Sequence, residues 1–163
     1  MSRNAKMLIS LVIALALPSI AAADDRIGAH VGTVFPLVSH VGGSTSTISD
    51  QFEIGFPMGI TIKPGTDWAF DLEFVPVITR ARSVSLTVHP GVIRKLPHSF
   101  GTGVRMAFDA PGSGWGFTPL VNRGFPVGLV TYFVEGVMPV RFKQHAGVNQ
   151  TSVGFGLHFG VGF

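Results

Sequence analysis

From about residue 26 onward, large apolar side chains recur at every second position. The clearest stretch is 153–163, Val-Gly-Phe-Gly-Leu-His-Phe-Gly-Val-Gly-Phe, where each odd-numbered residue is apolar and each even one is glycine except His158. A strand turns successive side chains to opposite faces, so this segment has one greasy face and one nearly bare face. The same period runs through 51–62, where Phe52, Ile54, Phe56, Met58, Ile60 and Ile62 alternate with Gln51, Glu53, Gly55, Pro57, Gly59 and Thr61. It continues through 67–74, where Trp68, Phe70, Leu72 and Phe74 alternate with Asp67, Ala69, Asp71 and Glu73. Looser alternation marks 26–38, 83–93, 100–109, 115–122 and 127–142, which brings the predicted count to eight strands. The segments 40–50, 110–114 and 143–149 read as loops, and 63–66, 95–98 and 123–126 as turns.

Alternating apolar residues that run to a final phenylalanine resemble the closing strand of bacterial outer-membrane β-barrels. That resemblance implies an all-β fold: an eight-stranded antiparallel up-and-down transmembrane β-barrel preceded by a cleaved signal peptide. It also implies that Phe159, Val161 and Phe163 form the signal read by the barrel assembly machinery. The expected surroundings are outer-membrane lipids and lipopolysaccharide, with a monomer as the favoured state.

The first residues agree with export. Arg3 and Lys6 precede an apolar run over 7–17, and Pro18 and Ala21-Ala22-Ala23 follow it, the order of a secretory signal. A run of eleven residues is too short for a spanning helix, which needs about 20. The expected domains are therefore a signal peptide at 1–23 and a barrel at 24–163. Two of the twelve Lys and Arg residues leave with the signal, so ten face nine Asp and Glu. A balance of +1 removes the main support for a nucleic-acid partner. The absence of cysteine excludes disulfides, thiolate metal sites and a cysteine nucleophile. Mean hydropathy is +0.44 without any long apolar run after the signal, which suits membrane strands rather than membrane helices.

Proline supplies a weak internal repeat: Pro57/Pro64, Pro90/Pro97 and Pro119/Pro126 are each seven residues apart, with Lys63, Lys95 and Arg123 ahead of the second member. Pro36, Pro76 and Pro139 each sit between two apolar residues. Because proline lacks a ladder donor, the sequence predicts bulges near the rims at Pro36, Pro76 and Pro139 and strand breaks at Pro57, Pro90 and Pro119.

The faces are assigned by volume. An eight-stranded lumen holds only modest side chains, so the phenylalanine-rich face must point outward and the face of Gly, Ala, Ser, Thr and charged residues inward. Phe52, Trp68, Phe108, Trp115, Phe142 and Phe163 fall near strand ends, the place of an aromatic girdle. Parity places Glu53, Asp71, Glu73, His89, Arg105, Asp109, Glu135, Arg141 and His158 inside. Confined charges should pair, with Arg105 and Arg141 as a cationic hub facing Glu53, Asp71, Glu73 and Glu135, and His89 or His158 offsetting the surplus. Such a network reads as a structural plug, with a gated polar path as its functional counterpart. Glycines on the last strand leave room beside Leu129, Thr131, Phe133 and Glu135, to be filled by large neighbours.

Ser85, Thr87 and His89 share the inward face of one strand. Barrel enzymes that deacylate lipid A use a Ser–His–acid set, but the family's His-x-Ser order is absent here and its site faces lipid, so Ser85 and His89 are only weak catalytic candidates. His30, His40, His98 and His145 show no metal-site spacing and read as surface or packing residues. Arg80 and Arg82 in a loop could meet lipopolysaccharide phosphates. Nothing in the sequence calls for a cofactor or a metal. The expected role is structural or envelope-interacting without catalysis. The alternatives are a lipid A hydrolase, a narrow channel, and a soluble lipocalin-like carrier in the periplasm.

Overall fold

The computed structural model describes residues 26–110, 112–145 and 148–163. The predicted signal peptide at 1–23 lies outside them. The described residues form one antiparallel sheet of eleven segments: β1 Ile27–Val41, β2 Ser44–Thr47, β3 Glu53–Gly55, β4 Met58–Ile62, β5 Trp68–Thr79, β6 Val84–Leu96, β7 Phe100–Ala110, β8 Trp115–Val127, β9 Val130–Val137, β10 Val140–His145 and β11 Val148–Gly162. β2, β3 and β4 together make the second stave and β9 and β10 the seventh, so eight staves stand in the ring. The sheet closes on itself where β11 pairs with β1, from His30↔Gly162 to Val41↔Ser152. Phe163 completes the seam by exchanging two backbone bonds with Ala29, at 2.8 and 2.9 Å. Closure pairs the described staves on both sides along the wall, as an all-strand structure needs in a medium without water, and leaves a free edge only at rim extensions such as β2, which pairs with β1 alone.

Several predicted boundaries move outward. The expected loop at 40–50 is largely a hairpin, because Val41 pairs with Ser44 around Gly42 and Gly43, which have φ of 56° and 82°. Two successive positive φ angles suit a two-residue turn of the type that matches strand twist, and the Gly-Gly pair was its signal. β10 and β11 likewise continue pairing to His145↔Val148, through most of the expected loop at 143–149. The expected turn at 123–126 belongs to β8, which ends at Val127, and the chain reverses at Gly128, with φ 61°.

The prolines divide into two groups. The register shifts between Pro36 and Val38, Pro57 separates β3 from β4, and Pro139 separates β9 from β10 with the register against β11 retained. Pro139 therefore breaks its stave where a bulge was expected, Pro76 brings no bulge to β5, and Pro90 and Pro119 do not break β6 or β8. A retained carbonyl bond is common to both groups: the carbonyl of Pro57 accepts from Gly32, that of Pro76 from Phe56 and that of Pro139 from Gly154 at 2.9 Å, and that of Pro119 from Met138 at 3.0 Å. In an antiparallel ladder a residue's N–H and C=O face the same neighbour, so each proline forfeits one bond of a pair and keeps the other.

The phenylalanine face is outside. Phe70, Phe74, Phe155 and Phe159 are each more than 40% exposed, while Asp71 is 0% and Arg105 3% exposed. A soluble carrier needs the opposite arrangement. Phe52, Phe108, Trp115 and Phe142 lie toward the loop end, with the Trp115 and Phe142 rings 4.7 Å apart. Trp68 and Phe163 lie at the turn end. Phe159 is exposed on the wall and Val161 pairs with Val31 across the seam.

Candidate functional site

Midway along the lumen, β1, β5, β6, β7, β9 and β11 contribute His30, Asp71, Glu73, His89, Arg105, Glu135 and His158, each at most 8% exposed. Arg105 is the centre. Its Nε donates to Asp71 Oδ2 at 2.7 Å and its Nη1 to Glu135 Oε1 at 2.7 Å, and its Nη2 stands 3.7 Å from Glu73 Oε1. One planar guanidinium thus serves three carboxylates, for which a fork of five donors is better shaped than an ammonium. Thr61 Oγ1 donates to Asp71 at 2.8 Å and Asn122 Nδ2 to Glu135 at 3.2 Å.

Three imidazoles complete the layer. His30 Nε2 lies 3.1 Å from Glu73 Oε1, His89 Nδ1 3.4 Å from Glu73 Oε2, and His158 Nδ1 3.2 Å from Glu135 Oε1. Phe133 stands edge-on to His158, with ring centroids 4.9 Å apart.

Glycines make the meeting geometrically feasible. In the ladder Gly91 lies between Asp71 and Arg105, and Gly59 lies between Glu73 and His30. A Cβ on Gly91 would fall 2.6 Å from Arg105 Cγ, and one on Gly59 would fall 2.6 Å from His30 Cε1. A Cβ on Gly160 would fall 2.5 Å from the Phe133 ring, so Phe133 occupies the room that the last strand leaves open. Each of these bare positions is a slot through which a long neighbour crosses to its partner.

Three of the expected inward charges stand outside the Arg105 cluster, and Arg141 meets the layer through His89. Arg141 is no second hub: its Nη1 donates to Phe117 O, Thr118 Oγ1 and Val140 O at 3.0–3.2 Å, and its Nη2 reaches His89 Nε2 at 3.4 Å. It sits on β10, six residues past Glu135, about 20 Å further along the stave. Glu53 and Asp109 also line the loop-side half, where Asp109 pairs with Lys143 at 2.8 Å. Sequence reasoning missed His30. Its signal was parity, since His30 shares the bare face of β1 with Gly28 and Gly32, opposite Ile27 and Val31.

The layer divides the lumen into a turn-side cavity of about 500 Å³ and a loop-side cavity of about 450 Å³. Ser85, Thr87 and His89 line the loop-side cavity. Ser85 and His89 are four residue steps apart on the strand, about 13 Å, far beyond hydrogen-bond reach. Donor atoms of His30, Asp71 and Glu73 come within 4.8 Å of one another. However, the guanidinium of Arg105 already lies against both carboxylates, so the cluster is neutralised by arginine rather than shaped around an ion.

No protein-family model matches the chain, and no curated protein matches it. Among solved structures the chain is similar to outer membrane protein AlkL, determined by solid-state NMR in DMPC lipid bilayers: 11% identity over 90% of this chain and 93% of that one, with a TM-score of 0.44.

Proposed function

We propose that this chain is a bacterial outer-membrane β-barrel with a sealed lumen, serving a structural or envelope-interacting role without catalysis. One observation carries the reading: a closed wall exposes phenylalanine, valine and isoleucine all round, while its arginine and carboxylates are buried on the axis. An exposed apolar surface of this extent needs a nonpolar solvent, and a bilayer supplies one. The Arg105 layer supports a plug rather than an open pore, because its charges satisfy one another across the lumen. Export through a signal peptide, delivery by the assembly machinery through Phe159, Val161 and Phe163, and contact of Arg80 and Arg82 with lipopolysaccharide belong to the same proposal. The test is membrane fractionation with gel mobility before and after boiling, followed by planar-bilayer conductance of the refolded protein. The reading expects a carbonate-resistant membrane fraction, a mobility change on boiling and no steady conductance. Release by carbonate would overturn the membrane assignment, and a constant ohmic current would overturn the seal.

A further inference from the structure

The two ends of the barrel differ in charge. Among the described residues the turn end carries Arg26, Lys63, Arg94, Lys95 and Arg123, and Asp67 as its one acidic side chain. Lys63 and Lys95 line the mouth of the turn-side cavity. Arg94 and Arg123 have the opposite parity and lie exposed on the outer wall. Arg94 stacks over the Trp68 ring at 5.8 Å, and Arg123 over Phe100 and Phe125 at 5.2 and 5.3 Å. A guanidinium laid on an aromatic face is held in place while its N–H edges stay open to an anion. Two strand spacings and a two-residue offset put Arg94 and Arg123 about 12 Å apart on the wall. Just inward of them, Val92 and Val104 pair on the wall, and Val121, which pairs with Thr102 two residues from Val104, extends this exposed apolar patch.

We infer that this outer face of the turn-side rim binds the phosphate of anionic glycerophospholipids, with the acyl chains lying along Val92, Val104 and Val121. Charge and apolar patch together specify an amphiphile, since a free phosphate would use only the arginines. The loop-side girdle offers a built-in contrast: Trp115 rests on Phe142, and among the described residues no guanidinium stacks on it. The inference rests on the membrane-spanning reading above, and one experiment separates the two.

Trp115→Phe leaves Trp68 as the reporter of the turn-side rim, and Trp68→Phe leaves Trp115 as the reporter of the other. Each variant is reconstituted in phosphatidylcholine vesicles containing a small fraction of brominated phosphatidylglycerol or, separately, brominated phosphatidylcholine. Trp68 should be quenched at least about fivefold more effectively by the anionic lipid, since each basic residue at a membrane surface contributes about 1 kcal/mol. Trp115 should show no such preference. Arg94→Gln with Arg123→Gln should return the Trp68 ratio to about one with gel mobility unchanged, whereas Lys63→Gln with Lys95→Gln should leave it intact. Equal quenching of Trp68 by both lipids, or a preference that survives loss of both arginines, overturns the inference while leaving the barrel in the membrane. Loss of the preference in the lysine pair would move the site into the lumen mouth and overturn its placement on the wall. Absence of quenching of either tryptophan by either lipid would sink the membrane reading itself.

Discussion

Removing the Arg105 guanidinium should leave three carboxylates facing one another in a closed space. Asp71, Glu73 and Glu135 are at most 2% exposed, and two of them accept 2.7 Å bonds from this one side chain. Hydrogen bonds to charged groups contribute about 1.5–3 kcal/mol each. Breaking a buried ion pair by deleting one partner costs about 3–5 kcal/mol, because the remaining charge stays desolvated. Arg105→Met keeps an unbranched stem in the Gly91 slot, so lost packing contributes little, and the expected destabilisation is about 4 kcal/mol, roughly a thousandfold in the unfolding equilibrium. Urea titration of the vesicle-reconstituted protein, scored by the gel mobility of folded and unfolded bands, measures it. Adding Asp71→Asn and Glu135→Gln to Arg105→Met should recover most of the loss, since the repulsion that Arg105 relieves is then gone. A loss below about 1 kcal/mol in the single variant, or no recovery in the triple one, would refute mutual neutralisation as the force holding the layer together.

Other expectations follow from the same geometry. Gly59→Ala drives a Cβ to 2.6 Å from His30 and 2.7 Å from the Leu72 carbonyl, so unfolding titrations should show a loss of about 1–3 kcal/mol from overpacking, whereas Gly43→Asn, at an open positive-φ turn, should cost far less. Asp50 accepts from both the amide and the hydroxyl of Thr47 at 2.8 Å, bonds that hold its carboxyl below the usual 3.8. A depressed folded-state value means that its contribution is full above 3.8 and fades as pH falls through the folded-state pKa. The Thr47 amide resonance should therefore stay fixed down to about pH 4 and move below it, and Asp50→Asn should abolish that titration. Ser85→Ala and His89→Gln should leave lipid A acylation unchanged by mass spectrometry, because the two side chains are set too far apart on β6 to act on one bond.

How much of this was legible in advance differs from residue to residue. Phe155 and His158 show the favourable case, since alternation is a property of the strand itself and assigns each residue a face before any partner is known. The same rule marked Asp71, Glu73, Arg105 and Glu135 as inward, and it would have marked His30 had the isolated histidine not been read by spacing alone. Turn chemistry was harder to read: Gly42-Gly43 closes a tight hairpin inside what looked like a loop, and Gly128 rather than Pro126 reverses the chain. Pro76, Pro90 and Pro119 misled because a proline forfeits only its donor, and composition does not say whether the neighbouring strands hold the register without that one bond.

Alone, the sequence determined the two-residue period, the number of staves, and the choice of oil outside with charge inside, because each of these is decided within a strand or by side-chain volume. Only the tertiary structure decided which inward charges meet. Asp71, Gly91 and Arg105 stand abreast on three neighbouring strands, so a guanidinium crosses the glycine to reach the carboxylate, while Arg141 is held far up the seventh stave and meets carbonyls, Thr118 and His89 instead of a carboxylate. That alignment depends on inter-strand register, which is set by turns on every hairpin and by closure of β11 onto β1, and no local pattern along the chain encodes it.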